Sequence, residues 1–175
     1  EPALRQAILR RAWSLLGRAA RARRASPSDV ACTLLLVVAD ARRLLALQVG
    51  DGRVALLDAA AAASVPVWRT LLEPTRGEHA NETVFVTSRQ AMVHLRLVWV
   101  DTAGVQACAL MTDGAEAALH DRARGRYAAA LDTLLEWQRS QPRAACAAAL
   151  QRSVQGALRE RTHDDLTVAL VGRLR

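Results

Sequence analysis

The chain has 175 residues, 51% of them apolar, which is enough for one domain with a real core and too hydrophobic for disorder. No apolar run reaches the roughly 20 residues that cross a bilayer, and the start shows no secretory pattern, so a cytoplasmic protein with no membrane partner is expected. The net charge is +7, yet all 24 basic residues are Arg and isoleucine occurs once, which reads as GC-rich coding rather than a surface built for nucleic acid.

Taken in chain order, Pro2 to Arg24 carries apolar side chains at Leu4, Ile8, Leu9, Ala12, Leu15, Leu16 and Ala19, a helical period with Arg on the other face. The basic cluster Arg18, Arg21, Arg23 and Arg24 is read as a solvated helix end, and Ser26-Pro27-Ser28-Asp29 as a turn. Ala31–Ala39 and Leu44–Val49 have strand length and predict an antiparallel hairpin, followed by a short strand at Val54–Leu57. From Ala59 to Thr83 the pattern weakens, and Pro66 and Pro74 argue for a long loop with one turn of helix. Thr83–Thr87 reads as a strand. Val93–Val100 and Val105–Met111 read as a second hairpin turning at Thr102-Ala103-Gly104. Beyond Thr112-Asp113-Gly114 the period becomes helical over Ala115–Asp121, Tyr127–Arg139 and Arg143–Arg159. Leu166–Val171 is an unbroken apolar run suited to a central strand. This order describes a single α+β layered domain over 1–175.

The remaining special residues have plain readings. Cys32, Cys108 and Cys146 have no ligand or disulfide spacing, and Cys32 and Cys108 read as small buried hydrophobes. His79 and His120 read as exposed, His94 as a strand-face residue and His163 as a loop residue beside the acidic pair that follows it. Ser64 and Ser88 lack a nucleophile's partners. The Asn81-Glu82-Thr83 sequon is discounted for want of a secretory signal. Trp13, Trp68, Trp99 and Trp137 read as core or groove fillers.

Three acidic positions share one setting, a strand end on a tight turn. Asp51 lies between Gly50 and Gly52, Asp113 precedes Gly114, and Asp164 with Asp165 opens the last strand. Each alone reads as a turn or strand-start residue. Together, on adjacent strands, they would form a cluster of carboxylates that repel one another unless a hard divalent cation sits among them.

The same segments carry a resemblance. Ala31-Cys32-Thr33-Leu34-Leu35 through Val49-Gly50-Asp51-Gly52-Arg53 is similar to the paired strands and Gly-Asp turn of the type 2C metal-dependent serine/threonine phosphatases. Leu110-Met111-Thr112-Asp113-Gly114 resembles that family's Ser/Thr-Asp-Gly strand end, and Asp164-Asp165-Leu166-Thr167-Val168 its closing Asp-Asn/Asp-x-Thr strand. Gly77-Glu78-His79-Ala80-Asn81-Glu82-Thr83 with Val86-Thr87-Ser88 resembles a divergent bacterial branch. The resemblance implies a four-layer αββα sandwich and hydrolysis of phosphoserine or phosphothreonine by a metal-activated water at two Mn2+ or Mg2+ ions, with no catalytic side chain beyond that water. It implies Asp113 and Asp164 as metal ligands and Asp51 as a ligand of a weaker ion or a group just behind the ligands. Gly114, Gly50 and Asp165 would be supporting residues. Phosphorylated proteins are the implied substrates, with a serine/threonine kinase as the opposing enzyme.

The family's opening acidic residue and Asp-Gly-x-Gly motif have no counterpart here. The chain therefore reads as the C-terminal two-thirds of such a domain, N-terminally incomplete, poor in metal binding by itself and exposing a sheet edge. A non-catalytic phosphoprotein-binding scaffold is the second reading, and a basic nucleic-acid-binding module the third.

Overall fold

The computed structural model describes residues 1–59, 66–75 and 83–173, and its architecture is α+β. It divides into two compact units, Glu1–Gly52 with Leu72–Val100, and Arg53–Leu71 with Asp101–Arg175.

In the first unit, helix α1 (Pro2–Arg23) opens with proline in its first turn and closes with Arg24 in the left-handed region, where Ala25 N–H reaches back to the Ala20 carbonyl at 2.9 Å. Ser26 then leads a short 3-10 turn, Pro27–Val30, with its N–H on the Asp29 carboxylate at 2.8 Å. Strands β1 (Leu34–Ala39) and β2 (Arg43–Val49) form the expected antiparallel hairpin, Leu34 opposite Val49 and Ala39 opposite Leu44. Asp40 fixes its turn by accepting the Arg42 and Arg43 N–H groups at 2.7 and 2.8 Å. One face of β2, Leu45, Leu47 and Val49, packs with Leu9 of α1, and Leu4, Ile8, Ala12 and Leu16 complete the helix side of that core.

In the second unit the sheet order is β4-β3-β6-β9, formed by β3 (Arg53–Asp58), β4 (Val67–Leu72), β6 (Val105–Met111) and β9 (Val168–Gly172). β6 runs antiparallel to both β3 and β9, with Met111 opposite Arg53 on one side and Val168 on the other. Ala55, Ala107 and Ala109 put short side chains on one face of the sheet, and Leu131, Leu134 and Leu135 of helix α4 (Ala130–Ser140) pack with them at helical spacing. Helix α3 (Asp113–Leu119) adds Ala115, Ala118 and Leu119 to the same core. A two-residue ladder, β7 (His120–Asp121) with β8 (Arg126–Tyr127), links α3 to α4.

Several expectations are corrected. The stretch expected as loop contains β4, whose Trp68 and Leu72 are buried while Val67 and Arg69 are exposed. Pro66 sits just before this strand, which is last in its sheet's described order and so needs no donor there. The rest of that stretch, 60–65 and 76–82, lies outside the described residues, and with it the expected helical turn, Ser64, His79, the sequon asparagine and most of the Gly77–Thr83 segment. The strand expected at Thr83–Thr87 is a single bridge at Thr83 and then turns. Helix α2 (Ala91–His94) replaces the start of the next one, so His94 is helical.

Strands β5 (Arg96–Asp101) and β6 are not a hairpin: β5 joins the first sheet, order β1-β2-β5, and β6 the second. The last strand is not central but ends its sheet's described order, with residues alternately half-buried and exposed. Its apolar run fixed strand character but not position. Helix α5 (Arg143–Ser153) gives way to a π-turn, Val154–Leu158, because Gly156 adopts φ −105, ψ −109, which a continuous helix does not allow. Cys32 and Trp99 are exposed rather than buried, whereas Trp13, though partly exposed, lines a groove with Leu16, Pro27 and Val30. No helix among the described residues is long and apolar enough to cross a membrane.

Candidate metal centre

Strand β6 ends at Met111, and the next residues are sewn to the segment leading into β9. Thr112 N–H donates to the Thr167 carbonyl at 3.1 Å, and Thr167 N–H donates to Thr112 Oγ1 at 3.0 Å. This two-way clasp sets Asp113, the first residue of α3, beside Asp164 and Asp165. A Cβ at Gly114 would lie 3.2 Å from the Asp164 Cβ and 3.1 Å from the Asp165 carbonyl carbon, so only glycine lets the two segments pass this closely.

Each carboxylate is oriented by its own turn. Asp113 Oδ1 accepts Gly114 N–H at 2.9 Å, and Asp164 Oδ1 accepts Asp165 N–H at 2.7 Å. Thr162 Oγ1 takes the Asp164 N–H at 3.2 Å. Asp113 is half-buried and Asp164 exposed. Asp165 is also exposed, and its side chain faces Arg159 across 4.0 Å.

Asp51 stands in the first unit. Gly50 precedes it at φ +105, and a Cβ there would lie 2.7 Å from Thr33 Cβ. Buried Gln48 holds the turn by donating from Nε2 to the Gly50 and Gly52 carbonyls, and Thr83 Oγ1 donates to Asp51 Oδ2 at 2.6 Å. The structure therefore brings Asp113, Gly114, Asp164 and Asp165 together within one unit, and places Gly50 and Asp51 in the other.

Among the described residues no group of three or more His, Cys, Asp or Glu is gathered for a metal. Two carboxylates on separate elements suit one magnesium-like ion that keeps several waters. Two such groups are fewer than a pair of ions would need.

The sequence reading missed a charged cluster beside this site. Glu116 lies one helical turn after Asp113 and is fully buried. Its carboxylate takes Arg122 through both Nε and Nη2 at 2.9 Å, and Arg53 Nη2 at 2.8 Å. Arg53 Nη1 donates to Thr70 Oγ1 at 2.9 Å, and Thr70 shares a 2.7 Å hydrogen bond with Tyr127. The His120 ring lies 4.6 Å from that of Tyr127, and its Nδ1 is 3.6 Å from Glu116, beyond hydrogen-bond reach. His120 is thus enclosed rather than exposed as expected. Burial raises the Glu116 pKa, but the Arg122 hydrogen bonds and the Arg53 charge outweigh it, leaving it below the ordinary value. Burial, with Arg53 nearby, lowers that of His120. One signal could have revealed the cluster: Glu116 interrupts an apolar helix face between Ala115 and Leu119.

A groove of about 430 Å3 between α4, α5 and β9 is lined by Leu134, Gln138, Cys146, Leu150, Val168 and Leu170. No carboxylate lines it, so it does not serve as the metal site.

The family described as Protein phosphatase 2C matches residues 1–158. No curated protein matches the sequence. Among solved structures, a bacterial serine phosphatase is 14% identical with TM-score 0.54, over 81% of this chain and 57% of that one. Serine/threonine phosphatase Stp1 from Staphylococcus aureus is 12% identical with TM-score 0.53, over 82% of this chain and 56% of that one. These identities show a shared fold, and the chain spans just over half the length of either structure.

Proposed function

Because the chain belongs to the protein phosphatase 2C family, we propose that it forms part of a phosphatase that hydrolyses phosphoserine and phosphothreonine esters of proteins at a Mn2+ or Mg2+ centre. The observation that carries this reading is the close packing of the Asp164–Asp165 segment on Gly114, the residue after Asp113. Asp113 and Asp164 are the residues here that would hold an ion, and Asp51 would serve a further ion or the polar surroundings. When bound, such ions lower the pKa of water and neutralise charge on the phosphoryl oxygens.

The chain's own residues would position that chemistry. The Thr112–Thr167 clasp holds the two strand ends at fixed spacing. Hydrogen bonds from Gly114 and Asp165 turn one oxygen of each carboxylate toward its own backbone and so set the orientation of both groups. The substrates proposed are phosphoproteins, with a serine/threonine kinase as the opposing activity.

The test is manganese-dependent hydrolysis of a phosphothreonine peptide by this chain and by Asp113→Ala. Because this chain alone offers carboxylates for one ion rather than two, weak activity is expected, and it should require the metal and disappear in the variant. A second reading, a non-catalytic phosphoprotein-binding scaffold, draws on the lack of a three-ligand group among the described residues. It gains if neither protein hydrolyses the peptide while both bind it.

A further inference from the structure

Resting on that phosphatase reading, we infer that Arg122 is a phosphate-binding residue of the Asp113 site, presented to substrate by the buried carboxylate of Glu116.

A guanidinium has two forked edges, each able to grip one anion. Arg122 spends one edge, Nε and Nη2, on Glu116 at 2.9 Å each. That pair fixes the plane and direction of the group. Nη1 takes no part in it, and the side chain is 54% exposed, so the second edge faces outward.

The anchor is rigid. Glu116 has no exposure and is held from its other side by Arg53, which is itself buried. Asp113 and Glu116, three positions apart on α3, are neighbours on the helix surface. The Asp113 charge contributes to the raised Arg122 pKa, after the larger effects of Glu116 and burial.

Charge balance supports the same reading. Arg53 and Arg122 face one Glu116 carboxylate, while enclosed His120 is held toward its neutral form, leaving one positive charge in excess. Asp113 offsets that excess only until a cation claims its carboxylate. The exposed Arg122 then carries that excess charge where an anion is favoured, and a phosphate ester carries the paired oxygens that such a fork grips.

The experiment is calorimetry on the whole 175-residue chain, titrating Mg2+ first and inorganic phosphate into the Mg2+-loaded protein second. Arg122→Gln is expected to weaken phosphate binding about tenfold, the loss of a charge-assisted pair, while Mg2+ affinity changes less than about twofold. Arg122→Lys, which keeps the charge but not the fork, should fall between. Thermal melts identify any variant that fails to fold, in which case the lysine form carries the comparison. Equal phosphate affinity in the wild-type and the folded variant overturns the assignment of Arg122 alone, as does Mg2+ binding without phosphate binding. Absence of Mg2+ binding in the wild type overturns the metal-centre reading and this one with it.

Discussion

Gly114 and Asp165 are packed backbone against backbone: a side chain at position 114 would run into the Asp165 carbonyl group. A single methyl therefore has nowhere to go without moving the segment that carries Asp164. Gly114→Ala is expected to cost about 1–3 kcal/mol, the usual range for forcing an atom into a filled space. It should also separate Asp113 from Asp164. Urea denaturation measures the first effect and Mn2+ affinity the second. A variant with wild-type values for both would show that the contact is not constraining.

Acid should weaken the second unit in two stages. His120 has its pKa lowered from an ordinary 6.5 by burial and by Arg53. Glu116 is lowered from 4.5 because the Arg122 and Arg53 interactions outweigh burial. In both cases the unfolded chain takes up the proton first, so stability is complete above the unfolded value and falls as pH drops through the folded one. His120 acts from near 6.5 downward and Glu116 from near 4.5 downward. Denaturation midpoints from pH 8 to pH 3 should show both slopes, with His120→Gln removing the upper and Glu116→Gln the lower. Glu116→Ala should cost about 3–5 kcal/mol relative to the wild type at neutral pH, since it strands the buried Arg53 without its partner.

The elements with one strong period were readable from the sequence, and those defined by their neighbours were not. Helix α1 and the β1–β2 hairpin repeat apolar residues at helical and strand spacing, and both formed where expected. β4 was lost because Pro66 and Pro74 bracket a short run, Val67–Leu72, whose alternation is weak in the sequence. β5 and β6 are adjacent in sequence with a turn between them, yet each pairs in a different sheet, which no local pattern encodes. At the site, the acidic motifs gave Asp113 and Asp164 through family resemblance. Glu116 and Arg122 escaped because their meaning lies in an ion pair between a buried carboxylate and a half-exposed guanidinium six residues apart.

The cysteines should differ sharply in reactivity. Burial in β6 pushes the Cys108 thiol up to about 12, whereas Cys32 is exposed, with its pKa raised by partial burial. The thiolate is the reacting form. A disulfide reagent at pH 8 should label Cys32 in the native protein and reach Cys108 only after denaturant is added. Rapid native labelling of Cys108 would mean that the β3–β6–β9 sheet opens far more readily than its pairing indicates.

Metal binding should be visible as stabilisation, and three aspartates should divide by their geometry. At a Mn2+ concentration of 100 times Kd, binding to the folded state adds about 2.7 kcal/mol, which for a chain of this size raises Tm by about 5–10 °C. Asp113→Asn and Asp164→Asn should each abolish most of that increase, because each removes one of the two proposed ligand carboxylates carried by the segments that pack at Gly114. Asp165→Asn should leave it nearly intact. Its side chain is fully exposed and directed to Arg159, and it is the Asp165 backbone that packs on Gly114 and orients Asp164. A melt series in which Asp165→Asn removes the increase while Asp164→Asn preserves it would exchange the roles of the two neighbours. The ligand from this strand would then be Asp165.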